Sequence, residues 1–155
     1  EPGAQADSEH GALVGTELTP AQERIIRAAD TFFLGTTHPR RGTDSSHKGG
    51  AAGLVRVDGG TLWWPDYPGN NMFNSFGNLA VDPSASLLFV DFTTGATVQL
   101  TGTAALEWIT PGSPGDDGGT GRRIRFIPTR IVQPIDPLPI RIGETLSYPR
   151  NPRLS

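Results

Sequence analysis

The sequence predicts a small, loop-rich antiparallel β barrel with one helix near its N-terminus and a second, shorter helix after the third strand. Three observations lead there. Gly and Pro supply 20 and 14 of the 155 residues, about 22% together, which is more than a helix bundle or coiled coil tolerates. They fall between apolar runs instead of replacing them, so the pattern is one of turns between strands, not of disorder. The runs themselves are short, rich in Val, Phe, Thr and Trp, and several alternate apolar with polar residues.

The chain's 16.5 kDa suits a single core. Residues 1–18 show no periodicity and read as a flexible arm, leaving 19–155 as one domain. Thr19-Pro20-Ala21-Gln22 reads as a helix start: Thr19 caps, Pro20 presets φ, and Gln22 completes a capping box. Ile25, Ile26, Ala29 and Phe33 then mark one face, and Glu23 and Arg27 are spaced for an i,i+4 pair. The helix is expected to end near Asp30.

Six strands follow, at residues 31–37 (TFFLGTT), 52–57, 61–64, 86–92 (SLLFVDF), 98–108 and 122–133. Asp58-Gly59-Gly60 joins the second and third as a tight hairpin. In the fifth, Val98, Leu100, Ala104, Leu106 and Trp108 share one face and Gln99, Thr101, Thr103 and Glu107 the other. Gly102 breaks the apolar face, which predicts a bulge or a close backbone approach. Pro128 interrupts the sixth strand. Residues 110–121 (TPGSPGDDGGTG) read as a mobile loop, and 134–155 as an extended Pro-rich tail. Six strands on this spacing close most economically into a small barrel.

Composition excludes several chemistries. Without Cys there are no disulfides, thiolate metal sites or Cys nucleophiles. The three His residues, 10, 38 and 47, have no metal-ligand spacing. No apolar run approaches membrane-span length and no leader is visible, so the expectation is a cytoplasmic protein with no membrane contact. The formal charge of −3 is split: residues 1–121 carry six basic and fourteen acidic side chains, whereas 122–155 carry seven Arg against Asp136 and Glu144. Such an Arg-rich end suits a phosphorylated ligand or an acidic partner surface. Nucleic acid is disfavoured by the low pI and the lack of an aromatic–basic stripe.

Two segments carry candidate chemistry. Residues 43–50 (TDSSHKGG) gather Asp44, Ser45, Ser46, His47 and Lys48, the only lysine. Hydroxyls, glycine-freed backbone N–H groups and an ammonium suit a phosphate; a polar turn between strands is the plainer alternative. A triad of Ser46, His47 and Asp44 is disfavoured because neighbours on an extended chain point apart. Residues 63–78 (WWPDYPGNNMFNSFGN) read as strand end, turn and a short helix over 71–79 capped by Asn70, whose amides and backbone N–H groups suit an anion; ordinary capping and core packing is again the alternative. Asp91 and Gln99 are positioned either to reach a heterocycle edge or to serve as ordinary sheet residues.

With DSSHKGG at 44–50, WPDYPGNNMFNSFGNLAVDP at 64–83, LLFVDFTTG at 87–95 and VQLTGTAALEW at 98–108, the chain resembles the pyridoxamine-5′-phosphate-oxidase-like family, in its flavin-nucleotide-binding branch. The tail, RRIRFIPTRIV and SYPRNP, matches more loosely. This resemblance implies a split β-barrel homodimer with FMN in a groove at the subunit interface. It implies that Ser45, Ser46, His47 and Lys48 lie along the ribityl phosphate and ring edge, that Pro65, Asp66 and Tyr67 run beside the isoalloxazine, and that Asn70 and Asn71 hold the phosphate. Gln99 is implied as a contact from the other subunit. Where the oxidase proper has Ser-Arg-Lys at its helix start, this chain has Asn70-Asn71-Met72, which points away from pyridoxamine phosphate as substrate.

The function expected on these grounds is flavin-dependent oxidoreduction of a small organic molecule, FMN carrying the redox chemistry. Two alternatives stand beside it: a non-catalytic flavin- or haem-binding module, and a non-redox cyclase or isomerase on the same barrel.

Overall fold

The structure is a computed structural model, which describes residues 11–38, 42–65, 83–114, 119 and 121–139. It is mainly β with one helix among the described residues: β1 (Ala12–Gly15), α1 (Pro20–Ala28), β2 (Thr31–His38), β3 (Gly42–Gly49), β4 (Arg56–Asp58), β5 (Thr61–Pro65), β6 (Ser84–Val90), β7 (Thr97–Trp108) and β8 (Arg122–Pro134).

The local signals held where they were chemically explicit. Thr19 caps α1, accepting from the Gln22 backbone N–H at 3.2 Å while the Gln22 side chain accepts from the Thr19 N–H at 3.0 Å. Glu23 and Arg27 pair at 3.3 Å. Asp58 faces Thr61 across a two-residue turn in which Gly59 and Gly60 take φ of 56° and 82°, the left-handed values such a hairpin requires. At Gly102 the β7–β8 register shifts, and a Cβ there would collide with the Ile127 carbonyl. The ladder steps from Thr101–Arg130 to Gly102–Pro128, so Thr129 is the extra residue of the bulge and Pro128 stands beside it.

The strand inventory differs from the sequence expectation: eight strands among the described residues, not six. Within the expected arm, Ala12–Gly15 pairs with Ile131–Pro134 of β8; four residues are too few to show a period, and only the partner's position reveals the strand. The expected loop at 43–50 is β3, laddered to β2 from Thr31–Gly49 to His38–Gly42. Its polar residues have weak strand preference, but backbone ladder bonds need no particular side chain. Conversely, the expected strand at 52–57 shrinks to Arg56–Asp58, because residues 51–53 turn, with Gly53 at φ 84°. The expected helix at 71–79 lies outside the described residues.

All pairings are antiparallel, in the order β3-β2-β6-β7-β8-β5-β4, with β1 on the far end of β8 beyond β5. The sheet curls into a half-barrel whose edges, β3 and β4, are not laddered to each other. Its concave side holds the core: Phe32, Leu34, Leu54, Leu62, Trp64, Leu87, Phe89, Leu100, Ile124 and Phe126 are essentially inaccessible. Phe32 stacks on Phe89 (5.3 Å between centroids) and meets Trp64 edge-on (5.1 Å). The helix contributes Ile26 to this core, and its buried Gln22 amide bonds the Gln133 side chain at 3.1 Å, tying α1 to β8.

Candidate cofactor site

Because β3 is a strand, its four candidate residues divide between two faces. Ser46 and Lys48 are in register with the core residues Leu34 and Phe32 and point inward; Ser45 and His47 are in register with Gly35 and Phe33 and point outward. Ser45 and His47 are exposed, Ser46 is half-buried, and Lys48 is wholly inaccessible. The Ser46 hydroxyl oxygen is buried without a hydrogen-bond partner, which is costly unless something supplies one.

His47 is held in place. Its ring Nε2 contacts the Thr31 hydroxyl, and Phe33 lies against its ring at 5.5 Å. Thr31 also donates to the Lys48 carbonyl at 3.0 Å. The glycines at the end of β3 do not leave a free anion cradle, since the Gly50 N–H donates to the Asp30 carbonyl at 2.9 Å.

Gln99 is exposed on β7, and the ladders place it in the same outer row as His47: His47–Phe33–Leu88–Gln99–Val132 runs across five strands. Three strand spacings separate His47 from Gln99, about 14 Å. Between them Phe33 and Leu88 leave 39% and 36% of their surface exposed. Pro65 ends β5 in register with Arg123 and is buried. Asp66, Tyr67, Asn70 and Asn71 lie outside the described residues. Asp91 closes its own turn, accepting from Thr93 N–H (2.8 Å) and the Thr94 hydroxyl (3.0 Å). The Thr93 backbone bond, foremost, holds its carboxyl below the usual range.

The apolar row around Phe33 and Leu88 is what the sequence expectation missed, although a signal for it exists. Phe32-Phe33, Leu87-Leu88 and Trp63-Trp64 are apolar doublets within strands. A strand buried on one face needs only one member of each doublet. Phe32, Leu87 and Trp64 fill the interior, so Phe33, Leu88 and Trp63 are surplus on the outside.

The described residues define a class: an antiparallel half-barrel with a packed helix and a cross-strand row of ring-sized apolar and polar groups on its outer face. Within that class the sequence profile of pyridoxamine 5′-phosphate oxidase matches residues 18–111, and the chain belongs to that family. None of the curated protein sequences matches it significantly. Among solved structures it is similar to Rv2991 from Mycobacterium tuberculosis (16% identity, TM-score 0.56, covering 85% of this chain and 94% of that one). It is also similar to HupZ from Group A Streptococcus (14%, 0.58, covering 74% and 91%) and to an F420 reductase (12%, 0.54, covering 74% and 98%). At these identities the likeness is one of fold.

Proposed function

We propose that this protein is an FMN-binding oxidoreductase acting on a small organic substrate, and that it works in the cytoplasm as a homodimer. The observation that carries the reading is the family match over residues 18–111, in a family whose members generally bind flavin nucleotides. A flat ring system needs apolar surface under its face and polar groups at its rim. The outer row offers both, with Phe33 and Leu88 flanked by His47 and Gln99. Its exposed apolar surface also suits a second subunit, which would bury the ring between two copies of the row.

When bound, FMN supplies the hydride and electron chemistry. The chain's residues bind and orient. Thr31 and Phe33 preset the His47 ring, and the Gln99 amide offers both donor and acceptor. Asn70 and Asn71 are assigned to the phosphate by the family motif.

The test is direct. The full-length chain incubated with FMN is expected to retain a flavin absorbance band after desalting. It should also be stabilised against unfolding by RT ln(1 + [L]/Kd), about 2.7 kcal/mol at a hundredfold excess over Kd. Parallel titrations with a deazaflavin, haem and pyridoxal phosphate rank the alternatives. His47→Ala and Asn71→Ala are expected to weaken the FMN response. A colourless protein with no FMN stabilisation overturns the reading.

A further inference from the structure

On the outer face at the opposite side of the half-barrel lies a feature that the cofactor assignment does not use. A cleft of about 580 Å³ opens between α1, β4, β5 and the start of β8. It is lined by Arg27, Arg56 and Arg123, by the Trp63 ring, by Val55 and Val57, and by a single acid, Asp58. None of these residues belongs to the set assigned to the flavin.

The ladders explain the assembly. Trp63 is flanked in register by Arg56 on β4 and Arg125 on β8, while Arg123, two residue pairs along the ladder and opposite Pro65, lays its guanidinium over the Trp63 ring at 5.3 Å. From the other wall Arg27 reaches across and donates to the Val57 carbonyl at 2.9 Å. Three guanidiniums and one carboxylate line the cleft wall itself, while the Glu23 and Glu107 carboxylates that pair with Arg27 and Arg123 approach from outside the lining. The cation pairs do not exhaust the donors. Arg27 meets Glu23 at 3.3 Å and Arg123 meets Glu107 at 2.9 Å, yet each guanidinium carries five N–H groups.

Guanidinium forks match phosphate and carboxylate oxygens, and an indole with aliphatic neighbours accepts a planar ring. The volume falls in the range of small-molecule sites. We infer that this cleft binds a small aromatic anion, a phosphate or carboxylate carried on a planar ring, with Arg56 and Arg123 on the anionic group and Trp63 on the ring. Of the arginine-rich end of the chain, β8 brings Arg123 into the lining.

The experiment is calorimetric titration of the full-length protein, with and without FMN, using phenyl phosphate and benzoate as probes and benzyl alcohol as the uncharged ring. Saturable binding of at least one anion is expected, with none for benzyl alcohol. Arg56→Ala and Arg123→Ala should each weaken it by at least about tenfold, the loss of one charge-assisted contact. Trp63→Leu should remove the preference for phenyl phosphate over inorganic phosphate, whereas Arg130→Gln, exposed on β8 away from the cleft, should bind like wild type. Melting curves confirm that each variant is folded. The inference is overturned by equal binding of benzyl alcohol, by no saturable anion binding at millimolar probe, or by folded Arg56 and Arg123 variants that bind like wild type. It is also overturned if phenyl phosphate displaces bound flavin, which would put the probe in the cofactor pocket. The FMN reading fails separately, on absorbance alone.

Discussion

Trp63 and Trp64 are neighbours in sequence and inhabit opposite regions of the molecule. Trp64 lies inside the half-barrel, 1% exposed, against Phe32 and Phe126. Trp63 lies outside it, half-buried among arginines. The same division separates Lys48 from His47 and Phe32 from Phe33. The interior is a closed apolar packing problem, in which a residue's worth is the volume it fills. The outer face is a surface on which apolar and charged groups outnumber what stability asks for, and there the worth of a residue lies in what it can bind.

The sharpest way to break this contrast is to treat the two tryptophans alike. Trp64→Ala should cost about 3–5 kcal/mol in denaturant unfolding, the range for emptying a large aromatic site in a core. Trp63→Ala should cost about 1 kcal/mol or less, the scale of a partly exposed cation–π contact. Comparable losses would mean that Trp63 belongs to the core after all.

Next in size, Leu88→Asp should abolish the proposed dimer while leaving the monomer folded, read by light scattering and circular dichroism, because Leu88 is 36% exposed and opposes Phe33. A dimer that survives the charge would place the interface elsewhere. Gly102→Ala tests a point where the interior has no room. The new methyl meets the Ile127 carbonyl, and a loss of about 1–3 kcal/mol is expected, typical of overpacking; a neutral result would mean that the bulge yields.

The smallest effect concerns Glu107, whose carboxyl is held below its ordinary value of 4.5, first by the Arg123 hydrogen bond. Trp63 adds a weaker influence of the same sign, although its Nε1 makes no hydrogen bond of normal length. A folded pKa below the unfolded one means that the contribution is fully present above 4.5 and fades as pH falls through the lowered value. Glu107 is 37% exposed, so the gain is well under about 1 kcal/mol. Glu107→Gln should flatten the fall of stability with acidity, with its small loss appearing at neutral pH and vanishing once the pH is well below the lowered value.

Much of the fold was legible from local chemistry. The capping box at Thr19 and Gln22, the Asp58-Gly59-Gly60 hairpin and the bulge at Gly102 each rest on a residue type that only one backbone geometry accommodates well. The polar edge strand β3 and the short β1 were not legible, because their bonds are made by backbone to partners far along the chain. The same reason explains how the structure distributes the candidate site. Ser45, Ser46, His47 and Lys48 form one motif in sequence, but strand alternation sends them to two faces. Gln99, 52 residues beyond His47 in the sequence, comes into its row through the β2–β6–β7 ladders.

The sequence by itself determined a cysteine-free, turn-rich β chain with the capped helix α1, an acidic body, an arginine-rich end and the motifs of its family. These follow from composition and short-range pattern, where each residue's preference acts within a few neighbours. Only the tertiary structure decided which member of each apolar doublet faces in and where the arginines of β8 gather. It also decided that, among the described strands, β3 and β4 stand at the two ends of the sheet. Those outcomes depend on register between distant strands, and register is set by the joint burial of many side chains, which no single segment encodes.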